Sequence, residues 1–300
     1  MQHPATNILI TGANGQLGNE LCTLSAQYPK LNFVLTDINE LDITNEANIH
    51  QVIENNNIEL VINCAAFTAV DKAESNQQLA HLLNAEAPEK LAKAINQRGG
   101  EMIHISTDYV YGDNHNEPYT EDILPAPQSV YGSTKLEGEQ RVIAACPKSI
   151  IIRTAWLYST FGNNFVKTML RLGKEREQLN VVFDQIGTPT YARDLAKAIM
   201  TIVTCPAKTY GIFHYTNEGA ISWYDFTKAI HRIAGITSCH VSPIRSAQYP
   251  TPAKRPSYSL LDKTKIKQTY HIDIPYWEDS LTQCVGALLA QDTNSSHNEQ

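Results

Sequence analysis

The stretch Asn7-Ile8-Leu9-Ile10-Thr11-Gly12-Ala13-Asn14-Gly15-Gln16-Leu17-Gly18 decides how this chain folds. Residues 7–10 form a short apolar run ended by Thr11-Gly12, which suits a buried parallel strand. Gly12, Gly15 and Gly18 follow at GxxGxxG spacing, and Leu17, Leu21 and Leu24 recur at helical intervals. A strand, a glycine turn and a helix in this order make a dinucleotide-binding arrangement. The glycines permit the turn and let the backbone approach a pyrophosphate, which sits at the helix N-terminus. Glycines also mark ordinary tight turns; the place between a strand and an amphipathic helix favours the binding role.

Outward from there, residues 33–36 read as a second strand ending at Asp37. An acid at this position can accept hydrogen bonds from the adenosine ribose hydroxyls and favours NAD, or it can simply open a turn. Lys30 or a more distant residue leaves NADP open. Residues 41–44 read as a short third strand entering a helix capped by Thr44 or Asn45, with Asp42 and Ile43 framing an adenine. Residues 60–66 form a fourth strand, and Ala65 and Ala66 at its end permit close approach of a cofactor or tight helix–sheet packing. A long helical stretch over 75–98 is expected to kink at Pro88. Strand five, 102–105, leads into Ser106-Thr107-Asp108. The loop 109–128, with Pro118, Pro125 and Pro127, is long enough to be functional. A helix begins near Ser129, and a sixth strand at 149–152 is followed by Arg153-Thr154-Ala155-Trp156.

This alternation predicts an α/β fold: a doubly wound parallel sheet, Rossmann-like, with a smaller C-terminal substrate-binding lobe. The expected division is a NAD(P)-binding domain over 1–153 and, over 154–300, mainly the substrate lobe, with some segments returning to the main sheet. Helices are expected at 164–175, 191–204 and 222–234, with short strands at 181–183 and 212–215. The polar residues 292–300 are expected to be disordered. Three hundred residues with 42% hydrophobic content give an ordinary globular core, and a net charge of -7 argues against a general nucleic-acid or membrane binder. Six scattered cysteines without a CxxC pair read as reduced thiols. With no run of 18 apolar residues and no charged segment leading an apolar one, the expectation is cytoplasmic.

The helix near Ser129 places Tyr131 and Lys135 one turn apart on one face. A phenol has an unperturbed pKa of ~10, and a nearby ammonium favours its ionised form, which makes it a usable acid or base. Chance supplies such pairs on many helices. Here Ser106-Thr107, at the end of strand five, would meet Tyr131 on the cofactor side of the sheet and complete a hydroxyl–phenol–ammonium set.

The order TGxxGxxG (11–18), STD (106–108) and YxxxK (131–135) resembles the extended short-chain dehydrogenase/reductase family. The strings 63–74, 106–110, 130–135, 162–172, 187–191 and 249–256 carry the likeness over nearly all of the chain to about Leu289. The resemblance implies hydride transfer from NADPH or NADH to the C4 keto group of dTDP-4-dehydro-β-L-rhamnose, giving dTDP-β-L-rhamnose, the last step of its synthesis for cell-surface polysaccharide. On it, Tyr131 would give the proton, Lys135 would bind the nicotinamide ribose and depress the phenol pKa, and Thr107 would bond the reacting oxygen. Thr107, Asp108 and Trp156 would contact the dTDP-sugar, and Arg255 is the candidate for its diphosphate. Gly15, Gln16, Leu17, Asp37, Asp42, Ile43, Ala66, Phe67 and Thr68 would line the cofactor site. Some members hold a metal with acids at a dimer interface. Here Glu20 is acidic but Arg193 stands at a second such place, so no metal is expected, and a homodimer is left open. A dehydratase would need Asp-Glu after the threonine, whereas Tyr109 follows Asp108; a non-catalytic relative would lack the tyrosine or its lysine, and both are present.

Overall fold

The computed structural model describes residues 6–112 and 116–297, with side chains to 291. Five strands of the first half, β1 (Thr6–Thr11), β2 (Leu31–Thr36), β3 (Leu60–Asn63), β4 (Glu101–Thr107) and β5 (Ser149–Thr154), join one six-stranded sheet. The sixth strand, Gly211–His214, comes from the second half and pairs with β5. All pairings are parallel and the order is β2, β1, β3, β4, β5, Gly211–His214. The chain leaves β1 toward β2 on one side and then adds β3 on the other. That reversal, between β1 and β3, opens a crevice beyond the strands' carboxyl ends where ligands bind in such sheets.

The period-two alternation of the strands sorts their side chains into two layers. Ile8, Ile10, Ile62, Ile103, Ile152 and Phe213 face a core shared with α1 (Gln16–Ser25) and the helix Ala192–Thr204. Leu9, Val61, Met102 and Ile151 face the opposite core, with residues of α2 (Glu46–Asn55). The stretch expected as one kinked helix is instead broken. It comprises α3 (Val70–Ser75), α4 (Gln77–His81), a π-helical turn Leu82–Glu86 and α5 (Ala87–Gln97). Pro88 lies in the first turn of α5, where a missing N–H costs least. The wider turn just ahead of it carries Asn84. The last helix of the first half, α6 (Val130–Ala145), is capped by Ser129.

Residues 41–44 form no strand. Leu41 and Ile43 are buried in the second core, while Asp42 accepts from the Thr44 amide at 2.9 Å and the Thr44 hydroxyl at 2.7 Å. Side-chain turn bonds have taken the place of a ladder, so alternation here reports packing only. The sixth predicted strand extends through Arg153 and Thr154, which lie in β5 rather than beyond it.

The second lobe packs Tyr158, Val166, Phe226, Ile230, Leu281 and Val285 into a separate core. Its helices are Phe165–Glu175, Trp223–Ile233 and Trp277–His297, with the parallel pair Gln178–Val182 and His240–Ile244. The last helix runs into the segment expected as a disordered tail; residues 298–300 lie outside the described residues.

Candidate active site

The glycine turn sits where β1 meets the crevice. Gly12 has φ +67°, and a Cβ there would approach Ala65 N to 2.7 Å. Only glycine supplies both that backbone and that proximity. The turn is tied to both neighbouring strands: Ala13 N donates to Thr36 O at 3.0 Å, and Cys64 N to Thr11 O at 3.1 Å. Asp37 Oδ2 accepts from Asn14 N at 3.0 Å, which brings the carboxylate against the same turn. The N-terminus of α1, capped by Gly15 without a side-chain bond, therefore faces a cradle of backbone amides beside an acid. Those features fit a dinucleotide.

The other expected cofactor residues divide. Leu17 and Ile43 are core residues, so their side chains pack inward and at most their backbone can line a cofactor site. Gln16 is held by Asn164, whose amide donates to Gln16 Oε1 at 3.0 Å. Asp42 is occupied by Thr44. Ala65 and Ala66 follow β3 as irregular chain and are half-buried, Phe67 is held by its backbone, and Thr68 is exposed. Asn84 grips Phe67 on both sides, accepting from its N at 2.8 Å and donating to its O at 3.2 Å. Asn84 was not foreseen; a polar residue between Leu83 and Ala85 on a packed helix was the available signal.

Thr107 ends β4 and caps the following turn, accepting from Tyr109 N at 3.2 Å. Ser129 starts α6 by accepting from Gly132 N at 3.1 Å. Gly132 lets that first turn lie against the Tyr109 carbonyl, which an added Cβ would strike. Tyr131 is thereby held edge-on to Tyr109, with ring centroids 5.5 Å apart, and close enough to Thr107 for that hydroxyl to lower its pKa. Gly132→Ala should move Tyr131 off this partner. We expect kcat to fall by about 10- to 100-fold with cofactor affinity kept, read by steady-state kinetics and cofactor titration.

The lysine does not act on the phenol as expected. Burial pushes Tyr131 up to about 12, Thr107 pulling it down and the Asp108 charge adding to the rise. Lys135 Nζ is instead turned to Ile105 O at 2.6 Å, and burial lowers this ammonium to about 8. Tyr131 is thus a protonated phenol at neutral pH, the form an acid must have.

Asp108 is 2% exposed, and burial raises it from 3.8 to about 6, the hydroxyls of Ser259 and Thr107 pulling it part of the way back. Thr107 Oγ1 donates to Oδ1 at 3.0 Å; Oδ2 is buried without a hydrogen-bond partner among the described residues. An acceptor so placed beside Tyr131 suits a ligand hydroxyl. A raised acid pKa means that the ionised form is penalised in the fold above pH about 6, and that the penalty disappears as pH falls to 3.8. Asp108→Asn should therefore stabilise the free protein at pH 7 by about 1–3 kcal/mol, with the gain lost near pH 4, while raising substrate KM. Urea unfolding at the two pH values checks the sign.

Trp156 leaves β5 with φ +48° and stacks on Trp223 at 3.6 Å between centroids. It also lines Gly187, where a Cβ would meet both Trp156 and Ser259 at 2.9 Å. Arg255, the diphosphate candidate, is paired with Asp71, its two terminal nitrogens lying 3.1 and 2.7 Å from the carboxylate oxygens. That pair straps the late proline-rich loop to α3. Glu20 is fully buried and accepts from Arg193 Nε at 3.1 Å and Ser159 Oγ at 2.7 Å. Among the described residues no three His, Cys, Asp or Glu side chains are grouped to hold a metal.

A parallel sheet with a glycine turn at its reversal point and a Thr/Tyr/Lys set at the end of β4 defines a nicotinamide-dependent oxidoreductase of the extended short-chain dehydrogenase/reductase class. The chain matches the family described as RmlD substrate binding domain over residues 6–290. It is 41% identical to dTDP-4-dehydrorhamnose reductase of Aggregatibacter actinomycetemcomitans, over 91% of this chain and 96% of that one. A crystal structure of a dTDP-4-dehydrorhamnose reductase from Clostridium acetobutylicum superposes with TM-score 0.90 at 45% identity, covering 95% of this chain and 100% of that one. The Bacillus anthracis reductase, solved in complex with NADP, gives 0.89 at 39%, covering 93% and 98%. The chain belongs to the dTDP-4-dehydrorhamnose reductase family.

Proposed function

We propose that this protein reduces the C4 keto group of dTDP-4-dehydro-β-L-rhamnose with NAD(P)H, giving dTDP-β-L-rhamnose. The observation that carries the reading is the protonated Tyr131 beside Thr107 at the end of β4, in a chain of this family. NAD(P)H, when bound, supplies the hydride. Tyr131 gives its proton to the C4 oxygen as that oxygen gains charge, and Thr107, its hydroxyl turned from Asp108 to the ligand, donates a hydrogen bond to the same atom. Lys135 binds the nicotinamide ribose. Asp108 Oδ2 accepts from a sugar hydroxyl, Trp156 packs on the sugar nucleotide, and Arg255 offers its remaining donors to the diphosphate. Asp37 beside the glycine turn favours an unphosphorylated ribose, while the Bacillus anthracis relative was solved with NADP; both cofactors belong in the assay. Tyr109 stands where a dehydratase needs a carboxylic acid, and burial raises its phenol. Six free cysteines suit a reducing cytoplasm, and no helix among the described residues is long and apolar enough to cross a membrane. Incubation of purified protein with the keto sugar nucleotide should consume NADH or NADPH in step with rhamnose nucleotide formed; no consumption of either would sink the assignment.

A further inference from the structure

A chain of buried polar groups leads to Lys135, and its Thr11, Asn63 and His104 have no part in the roles above. It starts at the backbone. Ala65 N–H can only donate, and it faces Asn63 Oδ1 at 3.2 Å; Thr11 Oγ1 donates to the same oxygen at 2.6 Å. The Asn63 amide is therefore oriented, and its NH2 group faces His104 Nδ1 at 3.0 Å. Amide flips and ring tautomers follow from their partners, and here a backbone donor decides both. Nδ1 must accept, so the ring proton is on Nε2. That N–H faces Lys135 Nζ at 3.5 Å. Thr11, Asn63, His104 and Lys135 are each at most 2% exposed.

A neutral imidazole beside a lysine would ordinarily turn its bare nitrogen to the ammonium. This one turns its N–H. We propose that Asn63 and His104 are positioning residues that present a hydrogen-bond donor to Lys135 and so keep its uncharged amine form within reach. The proposal rests on the reading of Tyr131 and Lys135 given above. The groups facing Lys135 from each packed element are few. On α6 it is Glu139, held by Arg153 of β5 and by Ser106. After β3 comes Cys64, and from β4 come His104 and the Ile105 carbonyl. Burial lowers the lysine to about 8, with Glu139 and Cys64 pulling it up. Burial, and then the Lys135 charge, hold His104 well below 6.5, so the ring is neutral at working pH. The charge that Lys135 brings to the nicotinamide ribose is consequently lost as pH rises through about 8, which sets the alkaline limb of activity.

Asn63→Asp reverses the device. One carboxylate oxygen still accepts from Thr11 and Ala65, while the other accepts from Nδ1–H, leaving Nε2 bare toward the ammonium. The test is nitrogen NMR on isotope-labelled histidine, His104 being assigned by its loss in His104→Gln, together with the pH profile of kcat/KM. We expect the wild-type ring in the Nε2–H form throughout. In Asn63→Asp we expect the proton on Nδ1 and an alkaline limb moved up by about one pH unit. His104→Gln, whose amide can turn its oxygen to Lys135, should move the limb the same way if Asn63→Asp does not fold. A wild-type Nδ1–H ring or imidazolium overturns the proposal. So does a limb that moves with the tautomer unchanged, since charge alone would then explain it, or a limb that stays while the tautomer flips. Lys135→Met separates the underlying reading: an unchanged profile there removes the lysine's role in turnover and leaves the NMR result standing.

Discussion

Tyr131→Phe is expected to lower kcat by about 10²- to 10⁴-fold while leaving cofactor affinity nearly unchanged. The ring keeps its edge contact with Tyr109 and the α6 cap is untouched, so the fold loses only one hydroxyl. That hydroxyl is the group on which Thr107 acts and which burial keeps protonated, as the proposed proton source for the developing alkoxide requires. Single-turnover reduction under saturating NADPH isolates the step. Turnover within a few-fold of wild type would assign the proton to another group. Asp108, near pKa 6, would then be the candidate to try.

Arg153→Met is expected to cost about 3–5 kcal/mol of stability. Arg153 and Glu139 are each 1% exposed and joined by Nε–Oε1 at 2.9 Å and a second nitrogen to Oε2 at 2.6 Å. The guanidinium also donates to Tyr111 Oη at 2.7 Å, and that hydroxyl meets His214 Nε2 at 2.8 Å. Deleting the cation leaves the buried Glu139 carboxyl with the Ser106 hydroxyl as its hydrogen-bond partner and Lys135 as the nearby cation. Adding Glu139→Leu should recover most of the loss, because two apolar groups of similar size replace a paired charge at little cost. Urea midpoints of the single and double variants decide it. A single variant as stable as wild type would mean that water reaches Glu139.

Much of the fold is legible in the sequence where cause and effect are close together. The glycine turn after β1 and the helix start near Ser129 each depend on residues within a turn or two, and the structure has both where they were read. Residues 41–44 mislead because an apolar alternation buries equally well against a helix as within a ladder. The π-helical turn before Pro88 leaves no periodic trace, since one wide turn shifts the register without changing composition. The partners that matter chemically are distant in sequence: Asn63 with His104, Asn84 with Phe67, Glu139 with Arg153 and Arg255 with Asp71. Asp108 stands out in the sequence as a candidate, but its raised pKa does not, because burial is a property of the assembled lobes. The same assembly turned Lys135 toward the sheet, against the simple expectation from helical spacing.

The Arg255–Asp71 strap closes a loop of 184 residues, and the sixth sheet strand enters beside β5 from position 211. During synthesis, β1 to β4 and the glycine turn can emerge from the ribosome well before either piece exists. Loop closure over such a span adds an entropic cost that short-range contacts avoid. The glycine turn gains nothing from this head start, because α1 and β1 share their core with the late helix Ala192–Thr204. The cradle and the second lobe are therefore expected to reach their final packing together, once the late segments have been made.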